Sequence, residues 1–166
     1  ATGMTDLGSL NGDHSYAFAV SADGSTVVGQ SIDKSYQTPA FRWTAESGMT
    51  DIHSNFPHRR STATGVSGNG SVVVGWARGA GNKEAAMRWT ETHGMMEIPN
   101  TLGGSKSLAF GVSVDGNVIV GEAHNEANRL RAFRWTAETG MKSLDSSDLT
   151  LTSARGVSSD GTAIVG

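Results

Sequence analysis

Short apolar runs separated by glycine-containing polar segments dominate the chain, and no run keeps the 3.6-residue period of a helix. The segment Ala40–Thr44 alternates, with Phe41 and Trp43 on one side of a predicted strand. A second kind of segment is an unbroken run of mostly β-branched residues, which predicts a strand buried on both faces. Its copies are Thr26-Val27-Val28, Val72-Val73-Val74, Val118-Ile119-Val120 and Ala163-Ile164-Val165. The pattern therefore predicts an all-β fold.

The pattern returns with a period of about 46 residues. The Arg-Trp-Thr triplet occurs at 42–44, 88–90 and 134–136, and a Val-Ser pair leads into Asp-Gly or Asn-Gly at 20–24, 66–70, 112–116 and 157–161. Five residues after each of those pairs stands another glycine: Gly29, Gly75, Gly121 and Gly166. One shared period indicates a repeat architecture. We therefore predict a single array over 1–166, with repeats at about 3–47, 48–93, 94–139 and a partial 140–166.

Each repeat holds four predicted strands. In the first copy these are Ser15–Ser21, the valine run, Ala40–Thr44 and Met49–Ile52. The Asp-Gly pair after the first strand predicts a type I′ hairpin turn, in which both central residues have positive φ. Four antiparallel strands in a unit of this length are typical of a β-propeller blade, so about three and a half blades are expected. A β-helix is less favoured because its parallel strands need no repeated hairpin turns.

The units resemble the HAF repeats, a family of bacterial extracellular repeats. The residues that carry the resemblance are Ala17–Gly24, Val27-Val28-Gly29, Ala40–Thr44 and Gly48–Ile52. Small departures occur at Asn69, Met87, Met96-Glu97 and Lys142-Ser143. The resemblance implies a secreted or cell-surface bacterial protein, in some cases the passenger of an autotransporter. It supplies neither a catalytic residue nor a defined ligand.

The ends of the array leave its closure open. Gly3–Leu7 carries a fourth-strand pattern, and the sequence ends after a second strand at Val165-Gly166. A blade shared by the two ends would lack its third strand. A segment of a longer chain, a four-bladed ring with one incomplete blade, a larger ring and closure by another copy all fit this pattern.

Composition narrows the functional classes. There are 22 glycines, which suits many tight turns, and no cysteine, which excludes disulfides, thiolate zinc sites and cysteine nucleophiles. The net charge of −3 argues against nucleic acid as a partner. No apolar run is long enough for a membrane helix, so we expect no membrane insertion of this segment. We also expect no cofactor.

Recognition is expected on the face that carries the variable loops. In an up-and-down blade, the turns between strands one and two and between strands three and four share one face, and they repeat closely here. The other loops vary in every copy, including 30–39, 76–85 and 122–131, and variable loops on a rigid scaffold commonly carry binding. The predicted ligand-binding residues are Tyr36, His53, Phe56, His58, Arg59, Trp76, Arg78, His124 and Arg131. Their aromatic and polar side chains would suit a glycan or a surface protein, as in an adhesion scaffold.

Chemistry other than binding receives less support. The histidines form no spaced metal-ligand motif, and no serine lies in a Gly-x-Ser-x-Gly elbow, so we expect neither a metal site nor a catalytic residue. The repeated serines before each turn are predicted to cap it, and the repeated arginines to pair with acids such as Asp51. Two alternatives remain open, an inert spacer and an extracellular hydrolase or lyase. The enzyme would draw on Asp13, His14, His58, Glu122 and His124.

Overall fold

The chain forms four-stranded antiparallel sheets that follow one another in sequence. The computed structural model describes residues 3–12, 14–53, 58–145 and 153–166. The first sheet contains β1 (His14–Val20), β2 (Thr26–Ile32), β3 (Ala40–Thr44) and β4 (Gly48–Asp51). The second contains β5 (Ser61–Val66), β6 (Val72–Arg78), β7 (Glu84–Thr90) and β8 (Gly94–Glu97). The third contains β9 (Gly103–Val112), β10 (Ile119–Asn125), β11 (Leu130–Thr136) and β12 (Gly140–Ser143).

A further pair, β13 (Gly156–Val157) and β14 (Ile164–Val165), begins a fourth unit. Within each complete sheet the strands lie side by side in chain order, as in a propeller blade. A 3₁₀ turn at Ala80–Asn82 precedes β7. The all-β, four-stranded prediction is confirmed. No helix in the described ranges is long and apolar enough to cross a membrane.

The hydrophobic core lies in layers between consecutive blades. Val28 and Ile52 of the first blade share a cluster with Ala63 and Met87 of the second, and Trp89 packs against it. The next layer joins the second and third blades and includes Val74, Ile98, Phe133 and Met141, with Trp135 against it. A third layer joins β10 and β11 to the final strand pair. The predicted placement of tryptophans between blades is therefore confirmed for Trp89 and Trp135.

Glycine in the second strand of each blade permits a close approach of two backbones. A Cβ at Gly75 would lie 1.9 Å from the carbonyl oxygen of Thr62 on the first strand. The equivalent distances are 1.9–2.0 Å at Gly29, Gly121 and Gly166. In β5 the pairing register shifts between Ala63 and Gly65, and β1 shows the same shift. A bulged first strand against a glycine therefore recurs along the array.

The hairpin turns differ from the type I′ prediction, which is wrong. Gly24 has φ of +73°, but Asp23 is not among the described residues with positive φ. The Gly24 N–H donates to the Ser21 carbonyl at 2.9 Å, so a turn closes with only its glycine in the left-handed region. Asp23 Oδ1 accepts hydrogen bonds from the Ser25 N–H at 2.9 Å and the Ser21 hydroxyl at 2.5 Å. The predicted capping role of Ser21 is confirmed, since its Oγ accepts from the Thr26 N–H at 3.0 Å.

Two other expectations are corrected. Asp51 forms its ion pair with Arg59, not with Arg42. The guanidinium of Arg42 lies over the ring of Trp89 in the next blade, 5.8 Å from its centroid. Residues 3–7, predicted to form a fourth strand, form no strand. A fourth strand pairs with the third strand of its own sheet, and the described residues contain no third strand that is available to pair with this segment.

Candidate binding surface

The blade topology gives the array two unlike faces. The turns between the first and second strands and between the third and fourth strands lie on one, which we call the turn face. The loops between the second and third strands (33–39, 79–83 and 126–129) and the connections between blades lie on the other, the loop face. The three loops have seven, five and four residues, so the loop face differs from blade to blade.

The predicted loops extend too far into the strands. Trp76 lies inside β6, opposite Thr62 and Ala86, and it is partly buried. Arg78 ends the same strand opposite Glu84. His124 and Arg131 likewise belong to β10 and β11. Of the predicted residues inside the three loops, only Tyr36 lies in a loop of the structure.

Backbone hydrogen bonds join the first two blades on the loop face. The Thr38 N–H donates to the Arg59 carbonyl at 3.1 Å, and the Thr38 carbonyl accepts from the Ser61 N–H at 2.9 Å. Within the second blade, the Arg78 N–H donates to the Arg60 carbonyl at 2.8 Å. The structure therefore brings Arg59, Arg78 and the loop that carries Tyr36 onto one continuous surface.

Tyr36 projects from this surface. Its side chain is 90% exposed, and its φ of +57° is uncommon for a residue other than glycine. The Tyr36 N–H donates to the Asp33 carbonyl at 2.9 Å, while Asp33 Oδ1 accepts from the N–H groups of Ser35 and Gln37 at 2.8 and 3.0 Å. The loop thus holds its aromatic ring in solvent at the cost of an unfavourable backbone conformation.

Asp51 links two of the predicted basic residues, His53 and Arg59. His53 Nδ1 lies 2.8 Å from Ser61 Oγ, and the His53 N–H donates to Asp51 Oδ1 at 2.8 Å. The same aspartate pairs with Arg59, which remains almost half exposed. His58 is exposed. The remaining member, Phe56, lies outside the described residues.

A cavity of about 320 Å³ opens on the loop face between the second and third blades. Its lining includes Lys83, Glu84, Glu97, Asn100 and Lys106. Lys106 Nζ and Glu84 Oε2 form an ion pair at 2.7 Å across the cavity wall, and neither side chain is fully buried. The cavity thus carries charges of both signs.

The sequence reasoning missed this cavity. One signal was present: Glu84 stands where the other repeats have Thr38 and Leu130. Lys106 occupies a position that is basic in the first three repeats, since His14 and Arg60 are its equivalents. The pairing of this basic position with an acidic residue, as Lys106 pairs with Glu84, is therefore particular to the boundary between the second and third blades.

The third blade uses its predicted residues for local contacts. His124 Nδ1 lies 2.8 Å from Asn128 Oδ1, and the His124 carbonyl accepts from Asn100 Nδ2 at 3.0 Å. Arg131 Nε pairs with Asp145 Oδ2 at 2.5 Å, and its side chain is 16% exposed. Arg131 is therefore mainly engaged in an ion pair within the blade, and little of its side chain is accessible to a ligand.

Two of the residues considered for catalysis, Glu122 and His124, contact other residues. Glu122 pairs with Arg155 at 3.6 Å, His124 contacts Asn128, and Asp13 lies outside the described residues. No hydrogen bond in the described part of the chain joins two of the catalytic candidates. Nor does that part contain a group of three or more His, Asp or Glu side chains placed to hold a metal ion.

The perturbed pKa values lie on the turn face. Hydrogen bonds from a serine hydroxyl and a backbone N–H lower the pKa of Asp23 and of Asp160 to about 2. The same contacts lower the pKa of Asp115, and burial lowers that of Arg88. The aspartate shifts belong to turn contacts that repeat along the array, so their role is structural.

Comparison with known proteins identifies the fold. No family model matches the chain, and no curated protein matches it. Among solved structures, a TolB-type protein from Agrobacterium tumefaciens superposes with a TM-score of 0.62 at 16% identity, over 89% of this chain and 56% of that one. TolB from Acinetobacter baumannii superposes with a TM-score of 0.65 at 15% identity, over 93% of this chain and 38% of that one. The chain therefore spans about half or less of these β-propeller proteins, and at such identity the likeness concerns the fold alone.

Proposed function

We propose that this chain is a bacterial binding scaffold whose loop face takes up an extended, charged segment of another protein. The observation that carries the proposal is the cavity on the loop face, lined by lysine and glutamate side chains from two blades. Its outline is set by the repeated blades, while Glu84 in its lining departs from the repeat. Repeat scaffolds commonly place recognition at such positions.

The chemistry of the cavity favours a peptide with charges of both signs. Lys83 and Glu97 are exposed at its rim, so each can pair with a ligand group. The Glu84–Lys106 pair lies across its wall and can exchange partners with a ligand of matching charges. Electrostatic complementarity of this kind contributes more to specificity and association rate than to affinity. A transient, moderate-affinity complex is expected.

A location in the cell envelope or outside the cell fits this role. The resemblance of the units to HAF repeats supports such a location, and both solved neighbours are bacterial proteins. The absence of cysteine is compatible with it, since no thiol is exposed to an oxidising environment. Adhesion is the form this binding would take on a cell surface.

A carbohydrate is the second candidate ligand, because of Tyr36. A ring that is 90% exposed on a structured loop offers a flat apolar surface to the face of a sugar. Trp76, which the sequence suggested as a second platform, is partly buried within β6. One exposed ring supports weaker sugar recognition than two would, so the protein ligand is preferred.

The primary test is selection of peptides from a displayed random library on the folded chain. Selected peptides are then measured by fluorescence anisotropy against Lys83→Glu and the control Lys142→Glu. Both changes alter the net charge equally, but Lys142 lies on β12, away from the cavity. We expect Lys83→Glu to weaken binding at least tenfold and Lys142→Glu to leave it within twofold. Equal binding to both variants would contradict the placement of the site.

A glycan array on the same preparation tests the second candidate. Saturable binding that Tyr36→Ala abolishes and Met96→Ala preserves would support sugar recognition, since Met96 is an exposed apolar residue on β8. A blank array together with an unsuccessful peptide selection would contradict both ligand classes. The inert spacer would then be the better account.

A further inference from the structure

A cavity of about 360 Å³ opens on the turn face where the three complete blades meet. Its lining includes Arg42 of the first blade, Arg88 and Trp89 on β7 of the second, and Asp115 in the hairpin turn of the third. Charged side chains from three blades thus reach one opening. We call it the turn-face cavity.

Arg42 and Arg88 hold the same position in consecutive repeats, but their contacts differ. The Arg42 guanidinium donates from Nε to the Gly70 carbonyl and from Nη2 to the Thr26 hydroxyl, both at 3.4 Å. It also lies over the Trp89 ring. Arg88 Nε is buried and has no hydrogen-bond partner in the described part of the chain. No ion pair among the described residues includes Arg88 either.

The repeat explains this difference. Val72 stands where the first repeat has Thr26, so the hydroxyl that accepts from Arg42 has no counterpart for Arg88. Val72 is buried and lines the same cavity. The second blade therefore has a methyl group where the first has a polar acceptor, and its arginine is left with unused donors.

Burial makes this cation a strong partner for an anion. The Arg88 side chain is partly buried, and burial lowers its pKa. A buried polar group without a partner costs free energy, and an acceptor that reaches the same side chain offsets that cost. The planar guanidinium fork matches the two oxygens of a carboxylate, and hydrogen bonds between two charged groups are stronger than neutral ones. An anionic group in the turn-face cavity would therefore be stabilised by Arg88.

The acidic residues of the lining limit the charge of that anion. Asp115 accepts from the Ser113 hydroxyl at 2.5 Å and from the Asn117 N–H and Nδ2 at 3.0 and 2.8 Å, so both its oxygens are engaged within its own turn. Glu91 also lines the cavity and is exposed. Two acids beside two arginines disfavour a doubly charged phosphate. A singly charged carboxylate fits this balance better.

We propose that the turn-face cavity binds a carboxylate group, held by the Arg88 guanidinium beside the Trp89 ring. A small organic acid and an acidic peptide share this chemistry. The site lies on the opposite face from the cavity that carries the proposed function, and the two linings have no residue in common. Either site can therefore fail without the other.

The test is a titration of the isotope-labelled chain with sodium acetate, followed by NMR and compared with sodium chloride at equal ionic strength. We expect saturable shifts of the Arg88 Nε–H and of the Ser71 amide, because both residues line the cavity. Arg88→Gln should weaken binding, followed at Ser71, by at least about tenfold. Arg134→Gln is the matched control, since it removes the equivalent arginine of the third blade, which is not part of this lining. It should leave the affinity within about twofold.

Val72→Thr tests the origin of the site. It supplies the hydroxyl that the first repeat has at this position, and that hydroxyl competes with the ligand for Arg88. We expect acetate to bind about threefold or more weakly to this variant. Titrations with N-acetylglycine and with the α-amide of N-acetylglutamate then compare a terminal carboxylate with a side-chain carboxylate. The tighter of the two identifies the source of the group.

Four results would overturn the proposal. Acetate shifts no larger than those of chloride would mean that water and bulk ions alone meet Arg88. Tighter binding of inorganic phosphate than of acetate would contradict a carboxylate site, and equal losses in Arg88→Gln and Arg134→Gln would contradict its location. An unchanged affinity in Val72→Thr would contradict the role of the missing hydroxyl. Circular dichroism verifies each fold, and Arg88→Lys, which keeps the charge but not the planar fork, replaces Arg88→Gln if the latter does not fold.

Discussion

Gly68 donates its backbone N–H to the carbonyl oxygen of Val114 at 2.9 Å, which joins the hairpin turns of the second and third blades. The Asp23 N–H donates to the Gly68 carbonyl at 3.2 Å, and the Val114 N–H continues the series to Ser159. A Cβ at Gly68 would lie 2.6 Å from Val114 Cγ1, so the two turns approach each other closely there. Backbone hydrogen bonds thus tie the turn face together across blades, while the loop face is free to vary.

Amide hydrogen exchange should reveal this connection. The Val114 side chain is 45% exposed in a turn, yet its N–H is bonded to Ser159. We expect the amides of Gly68 and Val114 to exchange at least tenfold more slowly than that of Ala22, whose N–H forms no backbone hydrogen bond within the described turns. Exchange followed by NMR at single-residue resolution measures the difference. Equal rates at the three amides would show that the turns open independently.

The serine before each turn should matter more than the serine after it. Ser67 is fully buried, and its Oγ accepts from the Val72 N–H at 3.0 Å. Ser67→Ala leaves that buried donor without a partner, so we expect the free energy of unfolding to fall by about 1–3 kcal/mol. Urea denaturation measures the change.

Ser71 in the same turn provides the matched control. Its hydroxyl donates to Asn69 Oδ1 at 2.7 Å, but the residue is exposed, so water can replace that bond. We expect Ser71→Ala to change the free energy of unfolding by less than about 0.5 kcal/mol. A larger loss for Ser71→Ala than for Ser67→Ala would refute the capping argument.

The blade architecture could be predicted because it depends on side chains that recur. Tryptophan, glycine and valine keep their positions in each repeat since each must fill, or vacate, the same space between blades. The bonds between turns could not be predicted in this way. Asp23, Gly68, Val114 and Ser159 have no side-chain property in common, and the contact uses only their backbone groups.

The sequence predicted which face of the array would carry the variable loops, but it did not predict the cavity on that face. Blade topology alone places the variable loops together, and the structure agrees with that placement. The cavity was missed because its charges, such as Lys83 and Lys106, come from different blades and meet only through packing. The apolar pattern in the sequence stops short of the end of β6, so Trp76 was expected in a loop. In the structure the β6–β7 pairing continues to Arg78.

Acid should destabilise the chain partly through its turn aspartates. The folded pKa of Asp23 and of Asp160 is about 2, lowered from 3.8. A lowered folded pKa stabilises the fold above the ordinary value, and this contribution is lost as the pH falls from about 4 through 2. We expect the urea midpoint of the wild type to fall more steeply over that range than that of the double variant Asp23→Asn with Asp160→Asn.

Asn69 shows why the amide should be tolerated at neutral pH. Its Oδ1 accepts from the Ser71 N–H at 3.1 Å, the contact that Asp23 makes with Ser25 at 2.9 Å. The double variant should therefore unfold near the wild-type midpoint at pH 7. Glu46→Gln with Glu138→Gln serves as the control for loss of two exposed acids. If that control flattened the acid response equally, the turn contacts would not be its source.

Gly75→Ala separates the steric role of glycine from its backbone freedom. The added methyl would meet the Thr62 carbonyl oxygen at 1.9 Å and the Ala63 Cα at 3.0 Å, both in the backbone of the paired strand. Because neither atom can move without disturbing the β5–β6 pairing, we expect a loss of at least about 2–3 kcal/mol in the free energy of unfolding. Gly48→Ala is the contrasting variant: it has φ of +67° but nothing within 4 Å of its Cβ position. Its cost should be about 1–2 kcal/mol, from the left-handed backbone alone. Chemical denaturation of both variants decides the matter, since a Gly75→Ala protein no less stable than Gly48→Ala would mean that the two strands can separate locally without weakening the blade.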